Sequence, residues 1–126
     1  MTTNKTPPKR RLKEGDIVIS TVQQVDGANK LRPVLILRKM PTGHFLACAI
    51  TTQLEKIIPD LEEIVYLADD DFAKTGIKQD SLIRLTWLTL IQPNDNNTYY
   101  LGCINLNLHQ KLLSNLSKYL IEDTDR

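Results

Sequence analysis

No stretch of this 126-residue sequence approaches the roughly 20 consecutive apolar residues that cross a bilayer, so no membrane-spanning helix is expected. Cysteine is scarce. Cys48 and Cys103 are too few and too far apart for a CxxC ligand pair or a disulfide framework, and both sit in apolar strand-like stretches, LACAI and YLGCI. They are read as core thiols. The two histidines, His44 and His109, have no cysteine or acid at ligand spacing, which argues against a zinc site. A Walker-type loop, a GxGxxG turn and an HExxH pair are all missing, and with them the common signatures of nucleotide binding and zinc proteolysis. Asp69, Asp70 and Asp71 are consecutive carboxylates in a loop, read as a solvated edge rather than a metal cluster. No metal and no cofactor is expected.

Charge of one sign is also lacking, since the net charge is only +1, but its distribution is uneven. Residues 1–14 carry five lysines and arginines against one glutamate. The last five residues, EDTDR, carry three acids against one arginine, which leaves the body between them close to neutral. A nucleic-acid ligand would therefore be held by a few placed cations rather than by bulk charge. The basic start, MTTNKTPPKRRLKEG, has no apolar core behind it and does not resemble a secretory signal; a cytoplasmic protein is expected. Residues 1–14 are read as a flexible basic arm, 15–121 as one domain and 122–126 as an acidic tail. The arm is either a solvated tail or a source of non-specific attraction for a polyanion.

What is present is a series of short β-rich segments. IVISTV (17–22), PVLILRK (33–39), HFLACAITT (44–52), EIVYL (63–67), SLIRLTWL (81–88) and TYYLGCI (98–104) are separated by polar segments, without long helices between them. VDGANK (25–30) supplies turn chemistry, and Pro41, Thr42 and Gly43 separate the second and third segments as a hairpin would. DDDFAKTG (69–76) has room for a short turn of helix. At the end the period changes: Leu108, Leu112, Leu113, Leu116 and Leu120 recur at helical spacing behind Asn105 or Asn107, either of which can serve as N-cap. The expected fold is mainly β (α+β), an antiparallel barrel or sandwich closed by one C-terminal amphipathic helix.

Several polar residues flank the buried strands: Arg32 before PVLIL, Thr51, Thr52 and Gln53 after ACAI, and Arg84 within SLIRLT. If residues 33–39 and 44–52 form a hairpin, Arg32 and Thr51 meet at its open end. A guanidinium with hydroxyls and an amide beside it suits a tetrahedral oxyanion such as phosphate. The alternative is a surface arginine whose aliphatic stem covers the end of the barrel. Trp87 belongs to the core or to a subunit interface, or else stacks on a base.

The ordered set EGDIV (14–18), DGANKLRPVLIL (26–37), ACAITTQ (47–53) and GIKQDSLIRL (76–85) resembles the MazF/PemK-like toxins of bacterial type II toxin–antitoxin systems. The resemblance spans about residues 14–120 and implies a small SH3-like antiparallel β-barrel, a homodimer, and a cognate antitoxin that covers the RNA groove. It further implies a cytoplasmic, metal-independent endoribonuclease. In that chemistry a ribose 2′-OH attacks the adjacent phosphate of single-stranded RNA, leaving 2′,3′-cyclic phosphate and 5′-OH ends. Carried onto this chain, Arg32 stabilises the phosphorane and Thr51 hydrogen-bonds a non-bridging oxygen. Asp26, Asn29 and Lys30 lie in the loop beside the groove, and Thr52, Gln53, Ser81, Arg84 and Thr86 contribute further contacts to RNA. Two departures stand out. STVQQVDG replaces the apolar-aromatic, Pro-containing segment frequent after GDIV, and Thr86 stands where some branches carry an acid. The alternative function is a PemK-like barrel with weak or no catalysis that acts as an RNA- or protein-binding module.

Overall fold

The computed structural model describes residues 11–23, 26–92 and 98–122; the basic arm to residue 10 and the tail from residue 123 lie outside the described residues. Six strands follow in chain order: β1 (Asp16–Gln23), β2 (Asn29–Lys39), β3 (Phe45–Thr51), β4 (Glu63–Val65), β5 (Ser81–Ile91) and β6 (Tyr99–Cys103). A 3-10 turn at Leu54–Lys56 precedes β4. Helix α1 (Phe72–Thr75) precedes β5, and α2 (Leu106–Ile121) ends the described chain. All strand pairs are antiparallel, in the order β4-β5-β3-β2-β1-β6, and the sheet curls into a half-barrel.

The continuous apolar run in β2 has a direct cause. Leu35 and Leu37 point into one buried cluster with Ile17, Ile50, Ile83, Leu85 and Leu112, while Val34 and Ile36 point into a second with Val18, Phe45 and Ala47. Both faces of the strand are covered, so neither needs polar residues. The β2–β3 hairpin forms around residues 40–44, as its two apolar runs predict. Some bounds differ from expectation. β2 begins at Asn29, because the mostly exposed stretch from residue 29 to 32 pairs with β1, which the turn chemistry of VDGANK did not reveal. β4 stops at Val65, where the Asp69 carboxylate accepts the Tyr66 N–H at 2.9 Å and turns the chain.

Helix α2 is capped by Asn105, whose Oδ1 accepts the Leu108 N–H at 2.7 Å. Its Nδ2 donates to Asp71 at 2.8 Å, and this bond, reinforced by Lys74, holds the Asp71 carboxyl below its ordinary range. Leu112 and Leu116 are buried and Leu108 and Leu113 half-buried, whereas Leu120 is exposed, so the leucine stripe meets the core only along its first three turns. His109 is buried on the same helix, and its Nε2 donates to the Leu37 carbonyl at 2.9 Å, tying α2 to β2.

Candidate active site

Val34 pairs with Ala49, so Arg32 and Thr51, two residues further along β2 and β3, reach the same end of the hairpin. They line one groove of about 710 Å³. Thr51 Oγ1 accepts the Gln53 N–H at 3.2 Å, a local turn that leaves its own hydroxyl proton to donate elsewhere. Arg32 lies over the Trp87 ring, with its guanidinium carbon 5.1 Å from the centroid. Trp87 in turn packs against the cluster around Val34 and Ile36, so the ring links Arg32 to the core.

The opposite wall comes from an irregularity in β5. Ala49 pairs with Arg84, but the preceding residue of β3, Cys48, pairs with Leu88, so residues 85–87 have no counterparts on β3. Such a bulge frees backbone groups from the ladder and re-aims side chains. Here it turns Arg84, Thr86 and Trp87 toward the groove and releases the Thr86 N–H.

Glu62 satisfies that N–H. Its side chain is fully buried, and Oε2 accepts from the Thr86 N–H at 3.0 Å, the Thr86 hydroxyl at 2.6 Å and Arg84 Nε at 3.2 Å. Oε1 accepts the Ile58 N–H at 3.0 Å. A buried carboxylate with this many donors is a satisfied one, as burial requires. Thr86 Oγ1 also accepts from Arg84 Nη2 at 2.8 Å. The two groove threonines thus have opposite polarity: Thr51 has a proton to give, whereas the Thr86 proton is committed to Glu62.

Of the residues anticipated from sequence, Asp26, Arg32, Thr51, Gln53, Arg84 and Thr86 line this groove. Asp26 Oδ1 accepts the Ala28 N–H at 2.9 Å and so shapes the loop. Asn29, Lys30 and Thr52 are exposed but outside the groove lining. Ser81 is buried, with its hydroxyl donating to the Gln79 carbonyl at 2.8 Å, and does not face the groove. Lys56, on the 3-10 turn, and Glu62 were not anticipated. Among the described residues the groove lining carries the cations Arg32, Lys56 and Arg84 and the carboxylate of Asp26, and Glu62 behind the wall pairs with Arg84, which leaves a positive balance suited to an anion. Among the described residues, no group of three His, Cys, Asp or Glu side chains is placed to hold a metal ion.

No protein-family model matches the sequence, and no curated protein matches it. Among solved structures, a chain of the crystal structure of MazE–MazF (form II) from Deinococcus radiodurans is similar at a TM-score of 0.62 and 16% identity, over 91% of this chain and 100% of that one. The fold is MazF-like. In this MazF-like sheet the groove lies where the β2–β3 hairpin opens beside the β5 bulge. None of the described helices is long and apolar enough to cross a membrane.

Proposed function

We propose that this chain is the toxin of a type II toxin–antitoxin system, a cytoplasmic endoribonuclease that cleaves single-stranded RNA to 2′,3′-cyclic phosphate and 5′-OH ends without a metal ion. The observation that carries this is the meeting of Arg32 and Thr51 in a cationic groove, with the Thr51 proton available for donation. Cleavage by internal transesterification needs a 2′-OH beside a phosphate and donors aimed at the charge that develops on the phosphorane. Arg32, held by Trp87, supplies a guanidinium to that charge, and Thr51 donates to a non-bridging oxygen. Asp26, Gln53 and Lys56 extend the contact along the strand of RNA.

The MazF-like fold and the MazE–MazF neighbour support a cognate antitoxin as partner; the working form in this reading is a homodimer. The antitoxin would act by covering the groove. A second reading, an RNA- or protein-binding module with weak cleavage, is favoured by one feature: Glu62, the carboxylate nearest Arg84 and Thr86, is buried and already bonded, so it offers no free base to the groove.

The deciding experiment is incubation of the purified protein with a long single-stranded RNA in excess chelator, beside Arg32→Ala and Thr51→Ala. Specific cuts with cyclic-phosphate ends, lost in both variants, support the nuclease. Absence of cutting by folded wild-type protein across several RNAs leaves the binding module.

A further inference from the structure

We infer that Glu62 is the positioning residue of this groove: through Thr86 and the side edge of Arg84 it turns the terminal fork of the Arg84 guanidinium outward as a second phosphate clamp. This inference rests on the reading of the groove as an RNA site. It begins with a carboxylate in an unusual place. Glu62 precedes β4 and belongs to no regular element, yet its side chain is fully buried beneath the groove wall.

The bonds on that carboxylate define what Arg84 can do. A guanidinium has five N–H donors in a plane, arranged as a side edge, formed by Nε and Nη2, and an end fork, formed by Nη1 and Nη2. Arg84 Nε donates to Glu62 Oε2 at 3.2 Å and Nη2 to Thr86 Oγ1 at 2.8 Å, and these two acceptors are themselves 2.6 Å apart. Acceptors so close together occupy the side edge. Nη1 and the second Nη2 proton, which make up the outward side of the end fork, have no acceptor among the described residues, and Arg84 lines the groove. A planar fork with its edge anchored is preorganised for two oxygens of one phosphate. Thr86, whose proton is given to Glu62, presents only a lone pair to the groove.

The arrangement also explains how a threonine is tolerated at position 86. The bulge exposes the Thr86 N–H, and one buried oxygen accepts that N–H, the Thr86 hydroxyl and Arg84 Nε together. The negative charge that balances Arg84 therefore comes from the connection before β4, not from β5.

The test is binding of a randomised single-stranded 2′-fluoro RNA, which lacks the attacking hydroxyl, to the full chain, followed by fluorescence anisotropy at several salt concentrations. Glu62→Gln is expected to weaken binding about tenfold, and this effect is expected to vanish in an Arg84→Gln background, because residues that act through one another are non-additive. Arg84→Gln should reduce the salt slope by about 0.7, the value for one phosphate contact on a single strand. Adding Thr86→Asp to Glu62→Gln is expected to restore most of the affinity, since a carboxylate at position 86 is within reach of Nη2. Thermal melts establish which variants fold. If Glu62→Gln does not, Thr86→Val and Thr86→Ser give the same readout at an exposed position: the first should weaken binding and the second preserve it. Wild-type affinity in folded Glu62→Gln or in Thr86→Val, or an undiminished Glu62→Gln effect in the Arg84→Gln background, overturns the inference. A wild-type protein that binds this RNA but does not cut ordinary RNA removes the nuclease and leaves the clamp; one that does not bind RNA removes both.

Discussion

The Arg32 guanidinium carbon lies 5.1 Å from the centroid of the Trp87 ring, a cation–π contact inside the groove. Contacts of this kind contribute about 0.5–1 kcal/mol at exposed sites and more when desolvated. Because Trp87 also packs on the cluster around Val34 and Ile36, it restricts Arg32 in a way that a longer-range charge would not. Trp87→Leu is therefore expected to slow RNA cleavage about tenfold, the effect of loosening one positioned donor. As Trp87 is the sole tryptophan, RNA that reaches the groove should also alter its fluorescence. Unchanged cleavage by Trp87→Leu would remove the ring from any part in holding Arg32.

Thr51 and Thr86 share a groove but not a polarity, and conservative variants separate them. At position 51 the hydroxyl proton is the useful group, so Thr51→Ser should retain cleavage and Thr51→Val should lose it by about 100- to 1000-fold, the range for one oxyanion donor. Position 51 is half-buried at the end of β3, and neither change is expected to disturb folding. Rates measured on one RNA, with melts on the same preparations, check this. Equal rates for Thr51→Val and wild type would exclude Thr51 from the chemistry.

The hairpin and the Arg32–Thr51 pair were legible because both follow from local pattern. Two apolar runs flank Pro41, Thr42 and Gly43, and antiparallel pairing then brings the far ends of the runs together. The two ends of such a hairpin meet whatever its exact register, but a one-residue irregularity between Ile36 and Arg38 carries Arg32 toward Thr51 rather than Thr52, and no sequence period reports that shift. Glu62 was illegible for the opposite reason. Nothing in PDLEEIV distinguishes Glu62 from Glu63, yet one is fully buried under Arg84 while the other meets Lys111 near the surface. That difference depends on how β4 pairs with β5 and on a bulge that no sequence period reports. Lys56 escaped notice similarly, since a three-residue 3-10 turn leaves no periodic signal. Ser81 was assigned to RNA contact by the family resemblance alone, whereas here it is buried and its hydroxyl bonds the Gln79 carbonyl.

Gly102 marks a close approach between α1 and β6. A Cβ there would overlap the carbonyl of Lys74 and the backbone of Thr75, neither of which can rotate away. Gly102→Ala is expected to destabilise the fold by about 1–3 kcal/mol, as overpacking typically does. Gly43→Ala serves as a contrast: a Cβ there meets nothing within 4 Å, so only its positive φ of 92° opposes the change. Denaturant unfolding of both variants distinguishes packing from backbone conformation. A Gly102→Ala protein as stable as wild type would mean that α1 can move away from β6 at little cost.

Cys48 is fully buried in the main core cluster, and burial, followed by the negative charge of Glu62, pushes its thiol well above the ordinary value of 9.0. The folded protein therefore keeps Cys48 protonated under conditions in which the unfolded chain ionises it. The consequence for stability has a definite sign: a group whose native pKa is raised contributes fully below its unfolded pKa and loses that contribution as pH rises. Relative to Cys48→Ala, wild type should lose on the order of 1 kcal/mol at pH 10, a pH above the ordinary thiol value of 9.0. Urea unfolding of both proteins at pH 7 and pH 10 measures this as a difference of differences, in which the other titrating groups cancel. The same burial predicts that a thiol reagent labels the half-buried Cys103 in native protein well before Cys48. A stability gap independent of pH, or rapid labelling of Cys48 in the folded state, would place that thiol in contact with solvent and contradict the packing of β3 between the two clusters.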